Sequence, residues 1–106
     1  MKDLIINKET TERTVLVGLI TPSQNETKAN EYLDELAFLA DTAGAVTVGR
    51  FLQKVERPNP RTYVGSGKLQ EIKEYVEAND IGMVIVDDDL STKQVSNIER
   101  ELQVKI

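Results

Sequence analysis

Arg13-Thr-Val-Leu-Val-Gly-Leu-Ile20 is an almost unbroken apolar run rich in β-branched residues, the pattern of a strand covered on both faces. Thr21-Pro22-Ser23 ends it. From about Asn25 to Ala43 the positions Ala29, Tyr32, Leu33, Leu36, Leu39, Ala40 and Ala43 return at steps of three and four, which predicts an amphipathic helix. Gly44 stands where a left-handed C-cap belongs. Ala45 to Val55 predicts a second strand, with Arg50 and Lys54 exposed near an edge and a bend at Gly49. Arg57-Pro-Asn-Pro-Arg61 closes it as a surface loop, because two prolines cannot both sit in a ladder.

Thr62-Tyr-Val-Gly-Ser-Gly67 leads into a second predicted helix from about Lys68 to Ala78, with Leu69, Ile72 and Val76 on its buried face. Gly82 to Val86 predicts a third buried strand, closed by Asp87-Asp-Asp89. Ser91 with Gln94 three residues on forms a capping box, and Leu90 with Val95 a hydrophobic staple, so a third helix runs to Leu102. Val104-Lys-Ile106 begins a fourth strand. Alternation of this kind implies an α/β domain: a four-stranded, mostly parallel sheet, favoured order 2-1-3-4, flanked by three helices with right-handed crossovers. Residues 1–106 form a single domain on this reading, and an end at the third residue of a strand suggests a fragment of a longer protein.

Composition narrows the chemistry. At 106 residues, 40% of them hydrophobic, the chain supports one small core and leaves little capacity for a deep enzyme cleft. Cysteine and histidine are both absent, which excludes disulfides, thiolate metal sites, His-dependent nucleophiles and imidazole bases. No catalytic residue and no metal site is expected. No apolar run approaches the roughly 20 residues of a membrane helix, and the polar start Met1 to Thr10 lacks the regions of a signal peptide. A cytoplasmic protein without a membrane partner is expected.

Net charge is −5, yet its distribution is uneven. Residues 50–73 carry 6 basic and 2 acidic side chains, between flanks that carry 4 against 8 and 3 against 8. This basic island consists of Arg50, Lys54, Arg57, Arg61, Lys68 and Lys73. Its extended, proline-fixed part has the character of a backbone-phosphate contact, with Lys54, Arg57, Arg61 and Lys68 as candidate RNA-binding residues. A solvated loop and charged edge strand account for it equally well.

Gly65-Ser-Gly-Lys68 looks like the tail of a phosphate-binding P-loop. That motif needs Gly where Thr62 stands and Ser or Thr where Leu69 stands, so it fails at both ends. The dinucleotide fingerprint fails at Gln70. A glycine-rich turn at a helix N-terminus still offers free N–H groups, with Lys68 beside it. Gly65, Ser66, Gly67 and Lys68 are therefore candidates for nucleotide or phosphate binding, against the plainer reading of a strand-to-helix turn that needs glycine's conformational freedom at Gly65. Asp87, Asp88 and Asp89 sit at the carboxyl end of a strand, where open α/β sheets place ligands and clustered carboxylates can hold magnesium. The plainer alternative is a solvated turn leading to Ser91.

The ordered combination Pro58-Asn-Pro-Arg-Thr-Tyr-Val-Gly-Ser-Gly-Lys-Leu-Gln-Glu-Ile72, Val84-Ile-Val-Asp-Asp-Asp-Leu-Ser91 and Gln94, Asn97, Ile98, Glu99 closely resembles the N-terminal domain of the HflX family of ribosome-associated GTPases. Asp89 departs from the family's usual Glu, and Thr92 from a common Pro. The resemblance implies a longer protein that continues into a helical hairpin and a GTPase domain, where the Walker motif, GTP and magnesium belong. No cofactor is then expected in residues 1–106, apart from an ATP-binding activity attributed to this domain in some members. It further implies the large ribosomal subunit, through its rRNA, and the GTPase domain of the same chain as partners. Two functions compete. One is a docking module that positions or regulates a GTPase domain, and the other a small nucleotide-binding domain that places Gly65 to Lys68 on phosphate and Asp87 to Asp89 on magnesium.

Overall fold

The computed structural model describes residues 12–106. The polar start read above as lacking a signal peptide lies outside them. Three parallel strands, β1 (Glu12–Ile20), β2 (Ala45–Lys54) and β3 (Met83–Val86), form one sheet in the order β2-β1-β3, with helices α1 (Glu26–Thr42), α2 (Ser66–Ala78) and α3 (Thr92–Leu102) between and after them. β1 is the centre, and every residue from Thr14 to Leu19 is buried. Side chains alternate across a strand. Val15, Val17 and Leu19 join Ile72 and Val76 of α2 and Ile98 and Leu102 of α3 in the main core. On the other face Gly18 lies so close to α1 that an added Cβ would meet Leu33 Cδ2 at 3.3 Å.

The fourth strand is a correction. The sheet has three strands, and the fourth is reduced to one parallel bridge, Met83 to Lys105, with the Val84 N–H donating to the Lys105 carbonyl at 3.0 Å. Gln103 ends α3 in the left-handed region, φ 59°, and the three residues after it are too few for a ladder. The bridge occupies the outer edge of β3, the place the order 2-1-3-4 assigns.

α1 is capped by Asn25, whose side chain accepts from the Lys28 N–H at 2.8 Å, and it ends at Gly44 with φ 95°. Its apolar stripe is wider than the surface it covers. Ala29, Leu33 and Ala40 are buried, whereas Tyr32, Phe38 and Leu39 are exposed, because α1 packs chiefly on β1 and β2. α2 begins two residues earlier than its pattern suggests, at Ser66, and α3 carries the full capping box of Ser91 and Gln94.

Gly49 sits beside the register shift that bulges β2 at Val48. Here Tyr75 crosses from α2, donates its hydroxyl to the Val48 carbonyl at 3.1 Å and packs edge-on to Phe51 with centroids 5.4 Å apart. A Cβ on Gly49 would stand 2.8 Å from that hydroxyl. Gly49→Ala is expected to displace Tyr75 and lower stability by about 1–3 kcal/mol, the usual result of overpacking. Gly67→Ala, whose Cβ meets nothing within 4 Å, is expected to be neutral or to stabilise by about 0.5–1 kcal/mol. Urea midpoints check both, and equal midpoints would contradict the close approach.

Candidate functional site

Two surfaces carry the chemically active side chains, and one loop divides them. After β2 the chain turns through Asn59, whose side-chain oxygen accepts from the N–H groups of Arg61 (2.8 Å) and Thr62 (3.1 Å). Asn59 and Tyr63 exchange backbone hydrogen bonds of 2.9 and 2.8 Å. The Val64 N–H then returns to the Thr62 carbonyl at 2.6 Å, a γ-turn that forces Tyr63 to φ 70°. A left-handed aromatic residue costs on the order of 1–3 kcal/mol and persists only where its surroundings hold it. Burial holds this one, since Tyr63 is 3% exposed.

α3 braces the loop from behind. Gln94 accepts the Ser91 N–H with its oxygen at 3.0 Å and donates its nitrogen to the Asn59 carbonyl at 2.8 Å, while Asn97 donates to the Arg61 carbonyl at 3.0 Å. The capping box therefore also fixes the proline loop. Gln94→Glu keeps the acceptor for Ser91 and loses the donor to Asn59. It is expected to cost about 1 kcal/mol and to speed hydrogen exchange at Asn59 and Tyr63 more than within α3. Uniform acceleration across the domain would count against the brace.

On one side of the loop Asn59, Arg61, Thr62, Ser66, Lys73 and Glu101 line an open groove of about 330 Å³ against the start of α2. Ser66 opens that helix, which has no side-chain cap, so its first N–H groups face outward with the positive end of the helix dipole. The remaining sequence candidates are dispersed. Lys54 is exposed at the end of β2, Arg57 is exposed before Pro58, and Lys68 forms an ion pair with Glu71 at 2.9 Å. The Gly65 N–H is taken by the Gln53 side chain at 2.9 Å, and Gly65 itself is extended, φ −70° and ψ 164°. Glycine's freedom is therefore not needed there, contrary to the sequence reading; the strained residue is Tyr63. Arg50, also of the basic island, pairs with Asp34 on α1 at 2.8 Å.

On the other side, at the carboxyl ends of β1 and β3, a cleft of about 440 Å³ is lined by Thr21, Gln24, Tyr32, Tyr63, Asp87 and Asp88 among others. The chain leaves β1 toward α1 on one face and β3 toward α3 on the other, so this is the topological switch point of the sheet. Burial, then the charges of Asp88 and Glu35, raise the Asp87 carboxyl above the usual range. Burial, then Asp88 and Asp87, push the Tyr63 phenol upward, so it stays protonated. Among the described residues no group of three or more metal-ligating side chains forms, and Asp87 to Asp89 do not converge on a common point.

The match to a family model decides what this fold belongs to. Residues 30–106 match the model described as GTP-binding GTPase N-terminal. The chain belongs to the HflX family. It is 48% identical over 104 residues, 96% of its length, to the GTPase HflX of Flavobacterium psychrophilum, and 42% identical over its whole length to that of Lacrimispora saccharolytica. With the GTPase HflX of Escherichia coli it shares 32% over 95 residues, 90% of the chain. The chain spans about a quarter of the length of these HflX relatives. As an HflX N-terminal domain it has an α/β fold, and among its described residues no helix is long and apolar enough to cross a membrane.

The raised Asp87 carboxyl has a consequence for stability. Its folded form holds the proton more tightly than the unfolded form, so the group favours folding at low pH and opposes it once ionised. Stability attributable to Asp87 falls as pH rises from the unfolded carboxylate range through the raised folded value. Asp87→Asn is expected to raise the melting temperature at pH 7 and to leave it little changed near pH 3. An equal shift at both pH values would show that charge is not the cause.

Proposed function

We propose that this domain is the docking module of a ribosome-binding GTPase, placing the proline loop and its basic groove on rRNA of the large ribosomal subunit and thereby positioning or regulating a GTPase domain in the same chain. The observation that supports it most is the braced loop. Asn59, Gln94 and Asn97 hold residues 59–63 in one conformation, with Arg57 and Arg61 exposed and Arg61 on the same groove as Lys73 and the uncapped start of α2. A loop already ordered loses little conformational entropy when it meets a phosphate backbone. Family membership supplies the GTPase, whose GTP and magnesium belong to the part of the relatives that this chain does not span.

The alternative, ATP held at Gly65 to Lys68, is less well supported. Two of the groups it would use are engaged, the Gly65 N–H by Gln53 and the Lys68 ammonium by Glu71.

Arg57→Ala with Arg61→Ala in the full-length protein is expected to weaken cosedimentation with the large subunit and to lower the salt dependence by up to about two phosphate contacts. Folding should barely change, since exposed charges contribute little. Lys28→Ala with Lys93→Ala, both outside the groove, is the charge-matched control. Equal losses from the two pairs would reduce the effect to general electrostatics, and no loss from the arginine pair would remove this loop from the interface.

A further inference from the structure

A parallel sheet is stable when helices cover both of its faces. Here one face is left partly open. α2 and α3 close the face that carries Val84 and Val86, whereas α1 packs chiefly on β1 and β2 of the opposite face. Met83 and Ile85 alternate with Val84 and Val86, so they point to the α1 side, where both stay partly exposed. With Ala40, Ala43 and Lys105 they line an open trough of about 260 Å³ between α1 and β3.

A flank of α1 widens this trough. Asn30 and Asp34 meet Arg50 of β2, at 3.3 and 2.8 Å, and so mark the flank that turns toward β2. Tyr32, Leu36, Leu39 and Ala43, on successive turns, share the flank on the other side, toward β3. Tyr32 lines the cleft with Asp87 and Asp88, and Ala43 lines the trough with Met83 and Ile85, in agreement with that placement. Tyr32 is 42% exposed and Leu39 55%. The result is one apolar strip along β3, from Tyr32 at its carboxyl end to Met83 at its amino end, and among the described residues no helix lies over it. An apolar strip of this kind marks a contact surface.

We propose that the strip receives an amphipathic helix from the portion of the same protein that this chain does not span. The inference rests on the longer protein of the reading above and not on its RNA contact. The chain spans about a quarter of its HflX relatives, and the model it matches is described as N-terminal, so most of such a protein lies outside these residues. A helix tethered to the domain meets the strip at an effective concentration of about the millimolar range, so a shallow apolar contact is enough to hold it. Charge sets its direction. Asp87 and Asp88 stand at the Tyr32 end and the Glu12–Lys105 ion pair at the other, so the helix places basic side chains toward Tyr32. A second copy is the poorer guest, because it would bring its own α1, with five acidic side chains and one basic, to a rim that is already acidic.

The test is hydroxyl-radical oxidation of the 106-residue chain and of the longer protein, resolved by residue with mass spectrometry. Expected in the longer protein are several-fold slower oxidation at Tyr32, Leu39 and Met83 and an unchanged rate at Phe38, which is 67% exposed on the outer side of α1. Leu39→Glu in the longer protein is expected to restore oxidation at Tyr32 and Met83. Tyr63, 3% exposed, should stay protected throughout and reports that the variant is folded. Equal rates at the strip in the two proteins would overturn the proposal, as would no recovery in the folded Leu39→Glu variant. Equal slowing at Phe38 would also overturn it, by showing that the whole helix is buried and not this flank. Protection that already appears in the 106-residue chain and grows with its concentration would assign the strip to a second copy instead. No ribosome takes part, so failure here and failure to cosediment are separate results.

Discussion

Burial of β1 on both faces governs the arrangement of every other element. Thr14 to Leu19 have no solvent side, so helices must cover the sheet above and below. Right-handed crossovers to strands on opposite sides of β1 do this, sending α1 to one face and α2 with α3 to the other. Two departures from a smooth sheet follow. Gly18 lacks a side chain because Leu33 occupies the space, and β2 bulges where Tyr75 crosses Gly49. The same divergence opens the cleft, since no element can lie over the point from which the two crossovers part.

The loop from Pro58 to Tyr63 converts this frame into two surfaces of opposite sign. Pro58 and Tyr63 face the cleft, while Asn59, Arg61 and Thr62 face the groove. A chain with net charge −5 is a poor general ligand for nucleic acid, but a braced loop with cations on one side and carboxylates on the other gives each surface its own local field. The strained Tyr63 backbone is the hinge between them. Its burial, the Asn59 bonds and the Gln94 brace all oppose relaxation of that residue, which explains how an unfavourable torsion is maintained.

Local signals were legible in the sequence and long-range ones were not. The Ser91 capping box, the Gly44 terminus, the apolar runs of the three strands and the bend at Gly49 all depend on residues close together in the chain, and each appears in the structure. The width of the α1 stripe misled, because periodicity reports which residues are apolar and not how much sheet is available to cover them; Leu39 is 55% exposed for that reason. At Gly65 to Lys68 composition suggested free donors, but Gln53, twelve residues earlier, takes one of them. Nothing near Tyr63 in sequence marks it as left-handed, since the γ-turn arises from Asn59 and from burial under the core.

The cleft at the carboxyl ends of β1 and β3 was legible only as a run of aspartates after a strand, and the reason is physical. Gln24 turns one amide N–H onto the Leu19 carbonyl and Tyr63 its hydroxyl onto the Asp87 carbonyl, so both side chains are fixed by backbone groups that residue types do not reveal. The three aspartates after β3 then divide by environment. Asp87 is partly buried with a raised pKa, Asp88 sits at the rim with one local bond, and Asp89 is exposed on the way to Leu90 and the α3 cap. A run that reads as three equivalent charges is, in the folded chain, one partly buried carboxyl and two exposed ones that differ in their bonding.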